Sequence, residues 1–459
     1  MRVFFVSFLL FSVLARAETV DAIWSAGYVV TEDAQHQLIE NGAVAVRAGR
    51  IVATGPRKTI GGRYQSAHHV DRPQAILIPG LINTHTHAAM SLLRGIADDL
   101  RLQDWLQNYI FPAEARNVTP EFVLWGTRLA CLEMMLSGTT TFVDMYYYED
   151  RVAEAAKEAG MRGVLGETMI GFPAPDAKTP QAALALTEAF LRRYRGDELV
   201  SPAIAPHALY TNSAEDLKAA RALANRYNAP LLIHLSETRH ENEECRAKHG
   251  VSPTRYLDSL GLWNGRTIAA HGVWLDAQDR AILKARGVGI AHCPSSNMKL
   301  ASGIAPVTQM LAENMRVGLG TDGPAGSNND FDLMEEMNLA ADLQKVATGD
   351  PTAVNARQAV DMATILGARA IGMEKEIGSL EAGKRADMVM VRIDRPHAIP
   401  LYNVYSQLVY ALKGSDVQDV MINGATVVAD GTPARLNSAA ILAKAREFQR
   451  SIAASLNRK

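Results

Sequence analysis

At 459 residues the chain is longer than one hydrophobic core usually serves, so a large domain with a smaller companion is expected. Hydrophobic residues make up 48% and charged residues 21%, a globular composition, and a net charge of −2 gives no basis for a nucleic-acid or anionic-membrane partner. Cys131, Cys245 and Cys293 are scattered and odd in number, so they form neither a disulfide framework nor a paired zinc-site spacing.

Met1-Arg2, the apolar residues 3–14 and Ala15-Arg16-Ala17 are the basic, apolar and small-residue parts of an export signal. Residues 1–17 are therefore expected to be a signal peptide, with cleavage before Glu18 and a periplasmic or secreted product. The apolar run is too short to span a bilayer comfortably, and no membrane contact is expected after cleavage.

Residues 18–74 show alternation and turns, with a hairpin running from Ala43-Val44-Ala45-Val46 through Gly49 into Ile51-Val52-Ala53. Residues 376–436 repeat the style around an Asn423-Gly424 turn. Neither end is long enough to bury a core alone, so both are expected to join in one small β-sandwich domain. Between them, residues 75–375 carry eight short apolar runs alternating with helical stretches, the pattern of a (β/α)8 barrel. The first run, 75–82, leads into Asn83-Thr84-His85-Thr86-His87, and the others are 138–145, 161–169, 199–209, 229–234, 267–271, 288–292 and 317–322. Helices are expected at 122–136, 179–194, 213–228, 330–345 and 353–373, with a terminal one in 437–459.

Several runs end abruptly in a metal-type or acid–base residue, at the C-terminal strand ends where such a barrel places its active site. His85 and His87 share one face of an extended segment, and His234 and Asp322 end later runs. Three imidazoles and one carboxylate suit one divalent metal per chain, with zinc favoured and iron or manganese open, and with a coordination position left for a water nucleophile. Glu237, three residues past His234, is placed to carry protons, and His271 to stabilise an oxyanion or orient the water. His292 precedes the turn-forming stretch Cys293-Pro294-Ser295-Ser296-Asn297, as a pocket-shaping or contacting residue. The long connection after the first strand, with Met90 to Gly95, Trp105 and Phe111 to Glu114, lies on the same face and is expected to carry specificity.

Pro79 to His87, His234 to Glu237, His271, Ser295 to Leu300 and Leu319 to Gly323 resemble the amidohydrolase superfamily, within it the 5-methylthioadenosine/S-adenosylhomocysteine deaminases and the related cytosine deaminase and triazine hydrolase group. The resemblance implies zinc-dependent hydrolytic deamination of an aminopurine nucleoside, with hydroxide attacking the amine-bearing carbon. Glu237 would protonate the ring nitrogen, assisted by His271 and Asp322, and ammonia would leave. It further implies Glu114 on the ribose hydroxyls, His207 on a purine nitrogen, and Trp105, Ser296 and Asn297 around the substrate. Glu167 stands where the resemblance would place a substrate-facing arginine. The alternatives are another heterocycle of cytosine, guanine or triazine type, chlorohydrolase chemistry included, or a non-catalytic exported binding protein. The expected partner is a small heterocyclic substrate, and a homo-oligomer stays open.

Overall fold

The computed structural model describes residues 17–456, so the expected leader lies outside the described residues except for Ala17. Eight parallel strands follow one another round a barrel: Leu81–Thr86, Thr139–Tyr146, Arg162–Met169, Val200–Pro206, Leu231–Leu235, Thr267–His271, Gly289–His292 and Arg316–Leu319. The seven later expected runs supply the last seven strands, and the first run reaches the first strand only at Leu81 and Ile82. Nearly every residue in these strands is buried, because helices cover the outside and side chains fill the inside.

The barrel closes between its first and last strands by a parallel bridge from Thr86 to Asp322. Side chains complete that seam. Thr84 Oγ1 donates to Leu319 O at 2.8 Å, and the Asn83 amide donates to Thr321 Oγ1 at 2.8 Å while accepting from the Thr321 N–H at 3.1 Å. Such an approach needs a residue without a side chain, since a Cβ on Gly318 would lie 2.5 Å from Thr84 Cγ2. At the opposite end, Ala368, Ile371 and Ile377 plug the floor beneath Ile82, Val143 and Ile268.

The two chain ends build one eight-stranded flanking sheet, in which Met388–Arg392 pairs antiparallel with the C-terminal half of His68–Pro79. Period-two alternation divides its residues between two cores: Ile76, Ile78, Val389 and Val391 join the main core, while Trp24, Val44, Leu77 and Met388 pack together on the other face. The Asn423-Gly424 turn has both residues at positive φ, the geometry of a tight hairpin.

Two expectations are corrected. The apolar run beginning at Ala75 is not one barrel strand: residues up to Pro79 belong to the flanking sheet and the barrel begins at Leu81. The hand-over is at Gly80, where a Cβ would sit 2.1 Å from Thr140 Oγ1. The single helix expected over 353–373 breaks at Thr364, whose hydroxyl turns back to Val360 O at 2.6 Å, giving Ala356–Ala363 and Ile365–Ala370. That break steers Ala368 and Ile371 into the barrel floor. The remaining expected helices form at Pro120–Leu136, Pro180–Arg193, Ala214–Tyr227, Leu333–Thr348 and Ser438–Leu456. No helix among the described residues is long and apolar enough to cross a membrane.

Candidate active site

The first, fifth and eighth strand ends bring His85, His87, His234 and Asp322 together, with one ligand atom from each lying within 4.8 Å of all the others. His87 Nδ1 faces Met145 O at 2.6 Å and His234 Nδ1 faces His207 O at 2.8 Å. A ring nitrogen facing a carbonyl must carry the proton, so both rings turn the lone pair of Nε2 into the cluster, as ligating imidazoles do. His85 Nε2 is buried without a hydrogen-bond partner and lies 3.2 Å from Asp322 Oδ1, while His87 Nε2 lies 3.3 Å from the same oxygen. The residues fit a divalent cation: an orphaned nitrogen, two oriented imidazoles and a carboxylate converge on one point.

The electrostatics agree. Burial opposes charge on Asp322, but the His85 and His87 imidazoles beside it outweigh burial and hold the carboxyl well below its usual range. Burial pushes His85 down to about 4 and His234 well below its ordinary value, leaving both neutral. For His87 burial is overcome by Asp322, which raises it to about 9, so that a proton competes for the place where a cation would bind.

Glu237 lies beside this cluster, 2% exposed, its Oε2 3.8 Å from His271 Nε2. Burial, reinforced by the Asp322 charge, raises its carboxyl to about 8, so the acid form is present at neutral pH. His271 Nδ1 bonds Asn297 Oδ1 at 3.1 Å, which leaves its Nε2 as an acceptor facing Glu237. Ser236, His271 and Asp322 all take positive φ, at 48°, 73° and 64°, which places backbone strain at three strand ends.

A cavity opens above the cluster. Trp105, Phe111, Glu114, Tyr146, His207 and Tyr210 are among the residues that line it. Glu114 is buried and accepts a 2.7 Å hydrogen bond from the Tyr146 hydroxyl, and burial raises it to about 7. The Trp105 indole donates to Ala325 O at 3.0 Å, fixing its ring in the wall.

Ser296 and Asn297, expected around the substrate, are not among the residues lining the cavity. The turn of Pro294–Lys299 sets them behind His271 and Asp322, with Ser296 Oγ donating to Asp322 Oδ2 at 2.7 Å and Asn297 holding His271. His292 is also buried off the cavity wall. Glu167 takes no place in the cavity, for alternation along its strand turns it outward to the backbone N–H of Glu149 and presents Thr168 instead.

Sequence reasoning missed Tyr146, Tyr147 and Tyr210, and it missed Glu241. The last had a signal, because Thr238-x-x-Glu241 is a helix-capping pattern. Thr238 caps Arg239–His249, and the Glu241 carboxylate reaches back to the N–H groups of Ser236 and Glu237 at 3.1 and 2.8 Å, fixing the loop that carries Glu237.

The sequence model of the amidohydrolase family matches residues 76–427. This chain belongs to that family. Among its curated relatives, the 5-methylthioadenosine/S-adenosylhomocysteine deaminase of Thermodesulfovibrio yellowstonii is 47% identical over 408 residues, covering 88% of this chain and 93% of the relative. The 5-methylthioadenosine/S-adenosylhomocysteine deaminase 1 of Syntrophus aciditrophicus is 48% identical over 439 residues, 96% of this chain and 99% of the relative. A crystal structure of an adenosine deaminase from Xanthomonas campestris with bound zinc superposes with a TM-score of 0.94 at 40% identity, over 96% of this chain and 100% of that one. Atrazine chlorohydrolase from Arthrobacter aurescens, at 23% identity and a TM-score of 0.85 over 93% of this chain and 100% of that one, shares the fold. This amidohydrolase carries the metal-type cluster and the buried acid at the C-terminal strand ends, where barrels of this kind place their active sites.

Proposed function

We propose that this amidohydrolase hydrolytically deaminates an aminopurine nucleoside of the 5′-methylthioadenosine or adenosine type, releasing ammonia. The observation that carries the reading is Glu237, a buried acid beside the four-residue cluster in a cavity whose wall also carries the Glu114–Tyr146 pair. The deaminases at 47% and 48% identity support it. A divalent cation, zinc by the donor set, would be held by His85, His87, His234 and Asp322 and would activate water for attack on the amine-bearing ring carbon.

Protonated Glu237 gives its proton to the ring nitrogen as that carbon becomes tetrahedral; the proton that Asp322 takes from the attacking water then goes to the departing amine, and Glu237 regains a proton from the new hydroxyl as the carbonyl forms. His271 Nε2, left as an acceptor by Asn297, orients the attacking water. Asp322 Oδ1 takes up a proton while Ser296 holds its other oxygen. Glu114 accepts from ribose hydroxyls, and His207 meets the purine.

The 5′ substituent points to the outer mouth, where Phe111 and Phe172 stack edge to face at 5.0 Å and Gln103, Gln107, His240 and Glu244 form the rim. Among the described residues, the cavity and this mouth are lined by no lysine or arginine, which favours a neutral tail over one bearing a carboxylate. Ammonia release from a panel of 5′-methylthioadenosine, adenosine, S-adenosylhomocysteine, guanine, cytosine and a triazine tests the proposal. Methylthioadenosine and adenosine should exceed S-adenosylhomocysteine in kcat/KM by about tenfold, the effect of one missing charged hydrogen bond. Turnover confined to free bases would overturn the nucleoside reading. Export belongs to the same proposal, and N-terminal sequencing of the mature protein should begin at Glu18.

A further inference from the structure

We propose a second divalent-cation site, of zinc type, formed by Glu32, His36 and Asp361 where the flanking sheet meets the barrel. None of the three lines the catalytic cavity. Glu32 follows the strand Ala22–Val30, His36 lies in the turn before Leu38–Arg47, and Asp361 projects from the helix Ala356–Ala363.

Their ligand atoms all lie within 4.8 Å of one another. His36 Nδ1 is 3.4 Å from Asp361 Oδ1 and 3.8 Å from Glu32 Oε2. Both distances exceed the ordinary N–H···O range. They come close instead to the separation of about 3.3 Å between neighbouring ligands of a four-coordinate ion with bonds of about 2.0 Å.

The three facing atoms, Glu32 Oε2, His36 Nδ1 and Asp361 Oδ1, are each buried without a hydrogen-bond partner. The Glu32 side chain is wholly buried, so an ionised carboxylate there requires a positive partner. Arg357 is exposed and acts on Glu32 only from a distance, with no ion pair to any of the three. The other oxygen of Glu32 accepts from the Tyr405 hydroxyl at 3.0 Å, the outer hydrogen bond that orients a ligating carboxylate. His36 is partly exposed, with its side chain at 28%, and gives a cation a path in from solvent.

A cation here ties two segments of the flanking sheet to a helix of the barrel, and its contribution is to stability. The test uses the full chain, stripped with chelator and equilibrated with micromolar zinc, and counts bound metal by atomic emission. Wild type should bind two zinc ions, His36→Ala and Asp361→Asn one each, and the double variant His85→Ala/Asp322→Ala still one. Zinc should raise the melting temperature of that double variant, and adding His36→Gln should abolish both the bound ion and the shift. Circular dichroism before zinc is added selects the folded variants, and Asp361→Asn keeps the shape of the native side chain. A single ion in wild type, or a metal-free His85→Ala/Asp322→Ala, would overturn the site and leave a proton shared between Glu32 and Asp361.

Discussion

The two ends of the barrel spend sequence differently. At the floor, Ala368, Ile371 and Ile377 fill the interior with plain apolar packing. At the mouth, charged and imidazole groups are buried, a histidine nitrogen is orphaned, and three residues are held at positive φ. The same eight strands connect both ends, so the floor supplies stability against which the mouth can hold unfavourable arrangements.

The comparison breaks if mouth and floor substitutions have the same consequences. The largest effect is expected for Asp322→Ala, which removes a proposed metal ligand and proton acceptor: turnover should fall below detection while the chain stays folded. Full activity after exhaustive chelation and verified metal loss would contradict the metal-dependent reading. Glu237→Gln should keep the metal yet lower kcat by about 10²–10⁴-fold, the usual worth of a general acid–base group. Wild-type kcat/KM should fall as pH rises through about 8, where Glu237 loses its proton, or through a lower pH when the cation's charge favours the carboxylate. That alkaline limb should be absent in the residual activity of the glutamine variant.

The floor predicts the reverse pattern. Ile371→Ala should lower stability by about 2–5 kcal/mol, the range for emptying a buried aliphatic site, with kcat/KM of the folded fraction unchanged. Denaturant titration beside steady-state kinetics reads both quantities. The smallest change sharpens the mouth itself: Glu114→Ala should weaken nucleosides by about 1.5–3 kcal/mol, the range for a charged hydrogen bond, and leave free bases nearly untouched. Equal losses for both classes would remove Glu114 from the ribose.

The barrel was legible because strands buried on both faces read as short apolar runs, and the cluster because each run stops at a residue such as His234 or Asp322 that has no place in an apolar interior. Gly80 was not legible, since Ala75 to Ile82 is uniformly apolar and hydropathy does not change where the chain passes from one sheet to the other. Ser296 and Asn297 were close in sequence to the right place, but which way they face depends on the helical turn at Pro294–Lys299. Tyr146 and Tyr210 become wall residues through connections folding over the mouth, which no local period encodes.

The junction at Gly80 makes this a chain that cannot be divided. The strand carrying His85 and His87 is the direct continuation of a central strand of the flanking sheet, with one residue between them. Trimming the chain to its barrel would cut that shared strand and uncover Ile76 and Ile78, both wholly buried, beside His85 and His87. A barrel-only fragment is therefore a poor starting point for engineering, and grafts onto this scaffold belong in the connections over the mouth, where length can change without touching the joint.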